Sequence, residues 1–133
     1  MKAIKHIILS LGIGIILNAC TPKMAFTTSS VVPAASGTIN VKKDKNENYT
    51  LKVNVHNLAE SKNLTPPKNS YLVWMKQNDR SVKKLGQLNP SGKTLTASLS
   101  TTTVAKPQEI FITAEDNAEI LYPAGQTVLT TEK

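Results

Sequence analysis

The sequence predicts an all-β domain, an antiparallel β-sandwich of about seven or eight strands. Three observations support this prediction. Short runs of β-branched and apolar residues recur along the chain, turn-forming residues separate them, and no stretch shows the apolar period of a helix. With 133 residues, the chain has room for a single domain.

A hairpin and a buried strand are the clearest elements. Apolar and polar residues alternate over 38–42 and again over 49–56, with the polar segment 43–48 between them. Two such strands joined by a short polar turn predict a β-hairpin. Segment 71–75 is apolar at every position, which predicts a strand that is buried on both faces.

The remaining strands are predicted over 81–88, 94–99, 109–114 and 126–130. Segment 25–32 is predicted to pair at a sheet edge. This strand is expected to end at Pro33, because proline cannot continue a paired strand. Segment 57–69 has no periodicity and contains two prolines, so we expect it to cross from one sheet to the other.

The first residues have the pattern of a secretory signal. Lys2 and Lys5 give a positively charged start, and the apolar run 7–17 follows them. A membrane-spanning helix needs about 20 apolar residues, so this shorter run fits a cleaved signal peptide over 1–19.

The end of that signal resembles the lipobox of bacterial lipoprotein precursors and reads Leu17-Asn18-Ala19-Cys20. In those precursors the cysteine thiolate takes a diacylglyceryl group, and a small residue such as Ala19 precedes the cleaved bond. The resemblance implies that Cys20 becomes the lipid-bearing first residue, which anchors the chain to a membrane. The alternative is an ordinary signal followed by an unpaired thiol, since the chain has one cysteine.

The residue after the cysteine bears on location. Thr21 rather than an aspartate follows Cys20, which resembles lipoproteins sent to the outer membrane, on its periplasmic side or its surface. The predicted organisation is therefore a signal peptide over 1–19, a lipidated tether and possible edge strand over 20–37, and the sandwich over 38–133.

The chain is mildly basic. Its net charge is +7, and removal of Lys2 and Lys5 with the signal lowers this to +5. Such a charge suits an anionic membrane surface or an acidic protein or polymer of the cell envelope. The favoured alternative is that scattered lysines on the outward faces of strands keep the domain soluble and discourage edge-to-edge pairing. Arg80 is the only arginine, whereas nucleic-acid-binding surfaces concentrate arginine and stacking aromatic residues, so we expect no nucleic-acid partner.

Several short motifs follow one another along the chain. They are Tyr71-Leu72-Val73-Trp74, Leu85-Gly86-Gln87-Leu88, Ile112-Thr113-Ala114-Glu115, and Pro123 and Gly125 before the last strand. With them, the chain from Thr38 onward resembles the extracytoplasmic C-terminal domain of anti-sigma-K factors. The resemblance implies a β-sandwich in which Trp74 is a core residue and Gly86 marks a bulge or close packing. The family's sigma-binding region has no counterpart here, so direct binding of a sigma factor is not expected.

Few residues could carry out a reaction. Beyond the signal, His56 is the only histidine, and Cys20 is assigned to lipid, so no catalytic pair or zinc or copper site can be assembled. We expect a non-enzymatic module without a cofactor that binds, senses or scaffolds in the envelope. Two alternatives stay open: an accessory regulator of an anti-sigma system, and an envelope hydrolase without a known motif.

One polar loop after a predicted strand is a candidate ligand site. It contains the oxygen-bearing side chains of Glu115, Asp116, Asn117 and Glu119. Such oxygens suit calcium, but the loop lacks the glycine and alternating spacing of known calcium loops. A solvated turn is the alternative, and no metal site is assigned.

Overall fold

The computed structural model describes residues 23–132, which form eight strands and one short 3-10 helix over Ser61–Asn63. The strands are β1 (Lys23–Ala25), β2 (Ser36–Lys43), β3 (Tyr49–His56), β4 (Ser70–Lys76), β5 (Val82–Leu88), β6 (Ala97–Thr103), β7 (Glu109–Glu115) and β8 (Gln126–Thr130). The first sheet has the order β1-β2-β3-β6, and the second has the order β5-β4-β7-β8. All pairs are antiparallel. The predicted antiparallel β-sandwich is confirmed.

The core lies between the two sheets and follows the predicted alternation. In β3, Leu51, Val53 and Val55 are fully buried, whereas Thr50 and Lys52 are exposed. Full burial of an aliphatic side chain of this size stabilises the fold by about 1.5–3 kcal/mol. The opposite wall of the core comes from the second sheet and includes Tyr71, Val73, Met75, Ile110 and Ile112.

Strand β4 is buried on both faces, as its uninterrupted apolar run predicts. Leu72 and Trp74 lie on the outer face of the second sheet, where they form a second apolar cluster with Phe111. Side chains from the connection 116–125 pack on this cluster. Trp74 is therefore 0% exposed although it faces away from the main core.

The two ends of the sandwich differ in the segments that they carry. One end carries the turn 44–48 and the connections 77–81 and 104–108. Strand β1 begins on the half of β2 nearer to this end, with Lys23 opposite Asn40. We call this end the Lys23 end. The other end, called the Glu115 end, carries the connections 57–69, 89–96 and 116–125. Strands of this length rise about 3.3 Å per residue and separate the two ends by roughly 25 Å.

The N-terminal segment differs from its prediction. The edge strand covers Lys23–Ala25 rather than 25–32, and after it the backbone N–H of Thr27 donates to the carbonyl of Thr130 in the second sheet (2.9 Å). The hydroxyl of Ser29 accepts hydrogen bonds from the backbone amides of Val31 and Val32. This local turn competes with an extended strand. Part of the predicted tether thus belongs to the sandwich.

The prediction for Leu95 was wrong. This residue lies in a turn with φ at 46°, and β6 begins at Ala97. Ser91 and Thr96 pair backbone to backbone and close the turn between them. The alternating pattern continues through Leu95. The pairing of Ser91 with Thr96, however, places the backbone of Leu95 in the left-handed region, which lies outside the β region of strands.

Gly86 marks both a bulge and a close approach. Val73 pairs with Gly86 and Trp74 with Lys84, so Leu85 is the extra residue between them. A Cβ atom at Gly86 would lie 2.9 Å from Cδ1 of Leu99 in the first sheet. The expected bulge and close packing are therefore both present, and β5 approaches β6 at this point.

Segment 57–69 crosses from the first sheet to the second, as predicted. The hydroxyl of Tyr71 donates to the carbonyl of Ala59 (2.5 Å) and holds this crossing against β4. Burial raises the pKa of the Tyr71 phenol from 10.0 to about 12, because the phenolate would lose its hydration.

The Tyr71 pKa predicts a loss of stability in alkali. Between pH 10 and about 12 the unfolded chain releases the Tyr71 proton while the folded chain retains it, so the free energy of unfolding falls as pH rises. Urea unfolding at several pH values measures this fall. Tyr71→Phe is the control, because it removes the titrating group. An equally steep fall in Tyr71→Phe would contradict the assignment.

Candidate functional site

The connection 116–125 between β7 and β8 is the candidate functional site. It leaves the Glu115 end, packs on the outer face of the second sheet, and returns to the same end at Gln126. Ala118 and Ile120 contact the cluster that contains Trp74. The ammonium group of Lys84, on β5, donates to the carbonyl of Ala118. The connection is therefore fixed to the sheet by both apolar and polar contacts.

A buried carboxylate holds the two ends of this connection together. Glu115 is only 2% exposed, and its oxygens accept hydrogen bonds from the backbone amides of Ala124 (3.1 Å) and Gly125 (2.9 Å). Hydrogen bonds to an ionised acceptor are about twice as strong as those between neutral groups. Glu115 therefore closes the loop by binding backbone amides just before β8.

The Glu115 carboxylate continues into a hydrogen-bonded chain across the sheet. The hydroxyl of Thr113 donates to Oε2 of Glu115 (3.1 Å), and the indole N–H of Trp74 donates to Oγ1 of Thr113 (2.8 Å). All three side chains are buried. Within the described residues, no buried side-chain nitrogen or oxygen lacks a hydrogen-bond partner. The network is satisfied internally, so its role is structural.

The closing turn requires glycine at position 125. A Cβ atom there would lie 1.9 Å from the carbonyl oxygen of Ala114 and 2.8 Å from Oε1 of Glu115. The backbone of Gly125 lies so close to β7 that any side chain would push the turn away from the carboxylate.

The loop presents two large apolar side chains to solvent. Leu121 is 73% exposed and Tyr122 is 74% exposed. Among the described residues, Val104 at the Lys23 end is the other large apolar side chain with such exposure. Tyrosine is enriched in the most energetically important contacts of protein interfaces. A well-fixed loop with an exposed Leu-Tyr pair can bind a partner with little loss of conformational entropy.

Three of the four residues predicted as ligands, Glu115, Asp116 and Asn117, line one small cavity together with Lys68, and Glu119 does not line it. Glu115 is directed into the sheet, whereas Asp116 is exposed and forms an ion pair with Lys68 (3.2 Å). Oδ1 of Asn117 accepts the backbone N–H of Glu119 (2.9 Å) within the loop. Between residues 23 and 132, no three His, Cys, Asp or Glu side chains are grouped so that they could hold a metal ion. The alternative of a calcium loop finds no ligand set there.

The predicted histidine lies elsewhere on the surface. His56 ends β3 at the Glu115 end, and its Nδ1 lies 3.3 Å from the hydroxyl of Thr96. Its imidazole forms no ion pair with a carboxylate of the described part of the chain.

The predicted lipidation site, Cys20, and the other lipobox residues, Leu17, Asn18 and Ala19, lie outside the described residues. In residues 23–132, the structure contains no helix with the length and apolar character needed to cross a membrane.

Sequence reasoning missed Leu121 and Tyr122. A signal was present, because these two large apolar residues stand together in a segment that is otherwise rich in polar and turn-forming residues. Their exposure depends on which loop residues turn toward Trp74, and alternation in the sequence does not show this.

Comparisons with protein-family models, with curated proteins and with solved structures found no match. The β-sandwich is therefore known from the structure itself. The resemblance to anti-sigma-K factors stays a prediction from the motifs. Three of these motifs meet in one place, since Trp74, Thr113, Glu115 and Gly125 belong to the same hydrogen-bonded network.

The network predicts a large effect for a small change at Glu115. Glu115→Gln replaces an acceptor oxygen with an amide group that faces the backbone amides of Ala124 and Gly125. We expect a loss of about 1–3 kcal/mol in the free energy of unfolding, because buried donors lose their acceptor. Guanidinium unfolding followed by the fluorescence of Trp74 measures it, since Trp74 is the only tryptophan.

Asp116→Asn is the matched control for this measurement. It makes the same chemical change one residue away, at an exposed ion pair that contributes at most about 1 kcal/mol. Equal losses for the two variants would show that the Glu115 carboxylate has no special role in closing the loop.

Proposed function

We propose that this chain is a bacterial lipoprotein, anchored by lipid at Cys20, whose β-sandwich binds a protein partner of the cell envelope and carries out no reaction. The lipobox over 17–20 supports the anchor, and Thr21 after the cysteine favours the outer membrane. The exposed Leu121 and Tyr122 on a fixed loop are the observation that supports the binding role.

The form of the loop favours a protein partner over a small ligand. Leu121 and Tyr122 project into solvent, whereas a small-molecule site encloses its ligand in a concave pocket. An exposed leucine beside a tyrosine fits an apolar depression on another protein, with the tyrosine hydroxyl free to form a hydrogen bond at the rim. The side chains of Asp116 and Glu119 on the same loop can meet basic groups of that partner.

A non-enzymatic role follows from the available side chains. With the signal removed and Cys20 acylated, His56 is the only histidine and no free thiol remains. Nδ1 of His56 lies 3.3 Å from the hydroxyl of Thr96. A nucleophile activated by His56 would also need a carboxylate to orient the ring. The proposed module therefore acts by binding.

The anchor is tested by replacement of Cys20. Cys20→Ser removes the thiolate that accepts the diacylglyceryl group, so we expect no incorporation of labelled fatty acid and accumulation of the uncleaved precursor. Thr21→Ser, which keeps the thiol, should be labelled and processed like the unmodified chain. A Cys20→Ser protein that is cleaved normally and released would refute the lipoprotein assignment.

The binding loop is tested by photocrosslinking in intact cells. A photoreactive amino acid in place of Tyr122 should give a discrete crosslinked product, because this side chain is expected to lie within the interface. Leu121→Ser in the same chain should weaken that product at least about tenfold, as expected when an interface anchor is truncated. Its stability should change by less than about 0.5 kcal/mol, since the side chain is exposed.

Position 104 provides the matched control for this experiment. Val104 is as exposed as Tyr122 but lies at the opposite end of the sandwich. The same photoreactive residue at position 104 should not give the product formed at position 122. If both positions give the same product, or if Leu121→Ser leaves the product unchanged, the loop is not the binding site.

A further inference from the structure

An apolar hollow lies at the Lys23 end, between the first sheet and the connection from β6 to β7. Its volume is about 370 Å³, and most of its lining is apolar. Met24, Val41 and Tyr49 extend into it from the inner face of the first sheet, and the connection between β6 and β7 forms its other side. The full lining is Met24, Val41, Lys43, Tyr49, Lys106 and Pro107.

Two lysines stand at the rim of this apolar surface. The ammonium group of Lys43 lies 5.9 Å from the centre of the Tyr49 ring, and its contact with the exposed Glu47 is long, at 3.9 Å. Lys106 is exposed and forms no ion pair within the described residues. An apolar hollow with a cationic rim matches the two parts of an anionic phospholipid.

Basic and acidic residues are distributed unequally between the two ends of the sandwich. At the Lys23 end, the basic residues are Lys23, Lys42, Lys43, Lys45, Lys76, Arg80 and Lys106, and the acidic residues are Asp44, Glu47, Asp79, Glu109 and Glu132. At the Glu115 end, the basic residues are Lys62, Lys68 and Lys93, and the acidic residues are Glu60, Glu115, Asp116 and Glu119. Basic groups are therefore in excess only at the Lys23 end.

The distance along the chain to Cys20 places the hollow near the proposed anchor. Cys20 is three residues before Lys23. An extended chain spans at most about 3.6 Å per residue, so the two residues lie within roughly 11 Å of each other on any path. Met24, the next residue, lines the hollow. A lipid on Cys20 thus holds β1, and with it Met24 and the hollow, close to the membrane surface.

We propose that the Lys23 end of the sandwich lies on the membrane. An acyl chain of an anionic phospholipid enters the hollow, its phosphate meets Lys43 and Lys106, and the 79% exposed Val104 enters the interfacial region. This inference rests on the proposed anchor at Cys20. The Leu121–Tyr122 loop lies on the outer face of the second sheet, away from the lining of the hollow.

The test uses the complete lipidated protein in vesicles with a fluorescent probe. Val104→Cys gives the only free thiol, since that of Cys20 is acylated, and Lys93→Cys gives a matched site at the Glu115 end. Vesicles contain phosphatidylglycerol and phosphatidylethanolamine, with a quencher on the upper part of the acyl chains. We expect strong quenching at position 104 and little at position 93. In phosphatidylcholine vesicles, quenching at position 104 should decrease.

The rim lysines are tested in the protein labelled at position 104. Each basic residue near an anionic surface strengthens its attraction roughly fivefold, so Lys43→Gln with Lys106→Gln should lower the ratio of docked to undocked protein about 25-fold. Lys62→Gln with Lys93→Gln removes the same charge from the other end and should leave the quenching unchanged. The fluorescence of Trp74 shows that each variant is folded.

The outcomes separate this inference from the anchor. Protein that does not float with the vesicles lacks the lipid anchor, and both proposals then fail. Protein that floats but is quenched equally at positions 104 and 93 retains the anchor and overturns the docking. Energy transfer between probes at position 104 that grows with protein density would assign the hollow to a second copy of the chain and would also overturn it.

Discussion

The buried carboxylate of Glu115 organises the whole outer face of the second sheet. Strand β4 is apolar on both faces, so a two-layer sandwich alone would leave Leu72 and Trp74 in contact with water. The loop that follows β7 covers them, and the carboxylate binds the amides at the end of that loop. A charge can be buried at this position because backbone and hydroxyl donors surround it. The apolar cover and the polar closure depend on each other.

The same network contains residues from three of the motifs on which the predicted resemblance to anti-sigma-K factors rests. Trp74, Thr113 and Gly125 stand in three different motifs of that resemblance, yet each contacts the same chain of hydrogen bonds or the carboxylate at its end. Residues that close a loop and cover a sheet are useful to any protein built on this architecture. A shared architecture does not fix function, which depends on the surface that the loop presents.

The two proposals assign different roles to different parts of the domain. In these proposals a lipid on Cys20 holds the Lys23 end, with its hollow and basic rim, close to the bilayer. The loop with Leu121 and Tyr122 begins and ends at the opposite end and covers the outer face of the second sheet. An anchored domain gains from this arrangement, because a binding loop at the membrane surface would compete with lipid for the same apolar side chains. The short distance between Cys20 and β1 restricts the orientation further than a long flexible tether would.

Alternation in the sequence determined the fold class and the hairpin of β2 and β3, and an uninterrupted apolar run determined the burial of β4, because each depends on residues that are close together in the chain. The tertiary structure decided what depends on distant contacts: the turn at Ser29, the left-handed backbone of Leu95, and the exposure of Leu121. The sequence identified Glu115 as a candidate oxygen ligand and Gly125 as part of a motif, but it did not show that the backbone amides of residues 124 and 125 donate to the Glu115 carboxylate. Backbone groups look alike at every position, and only the path of the folded chain brings particular ones to a carboxylate.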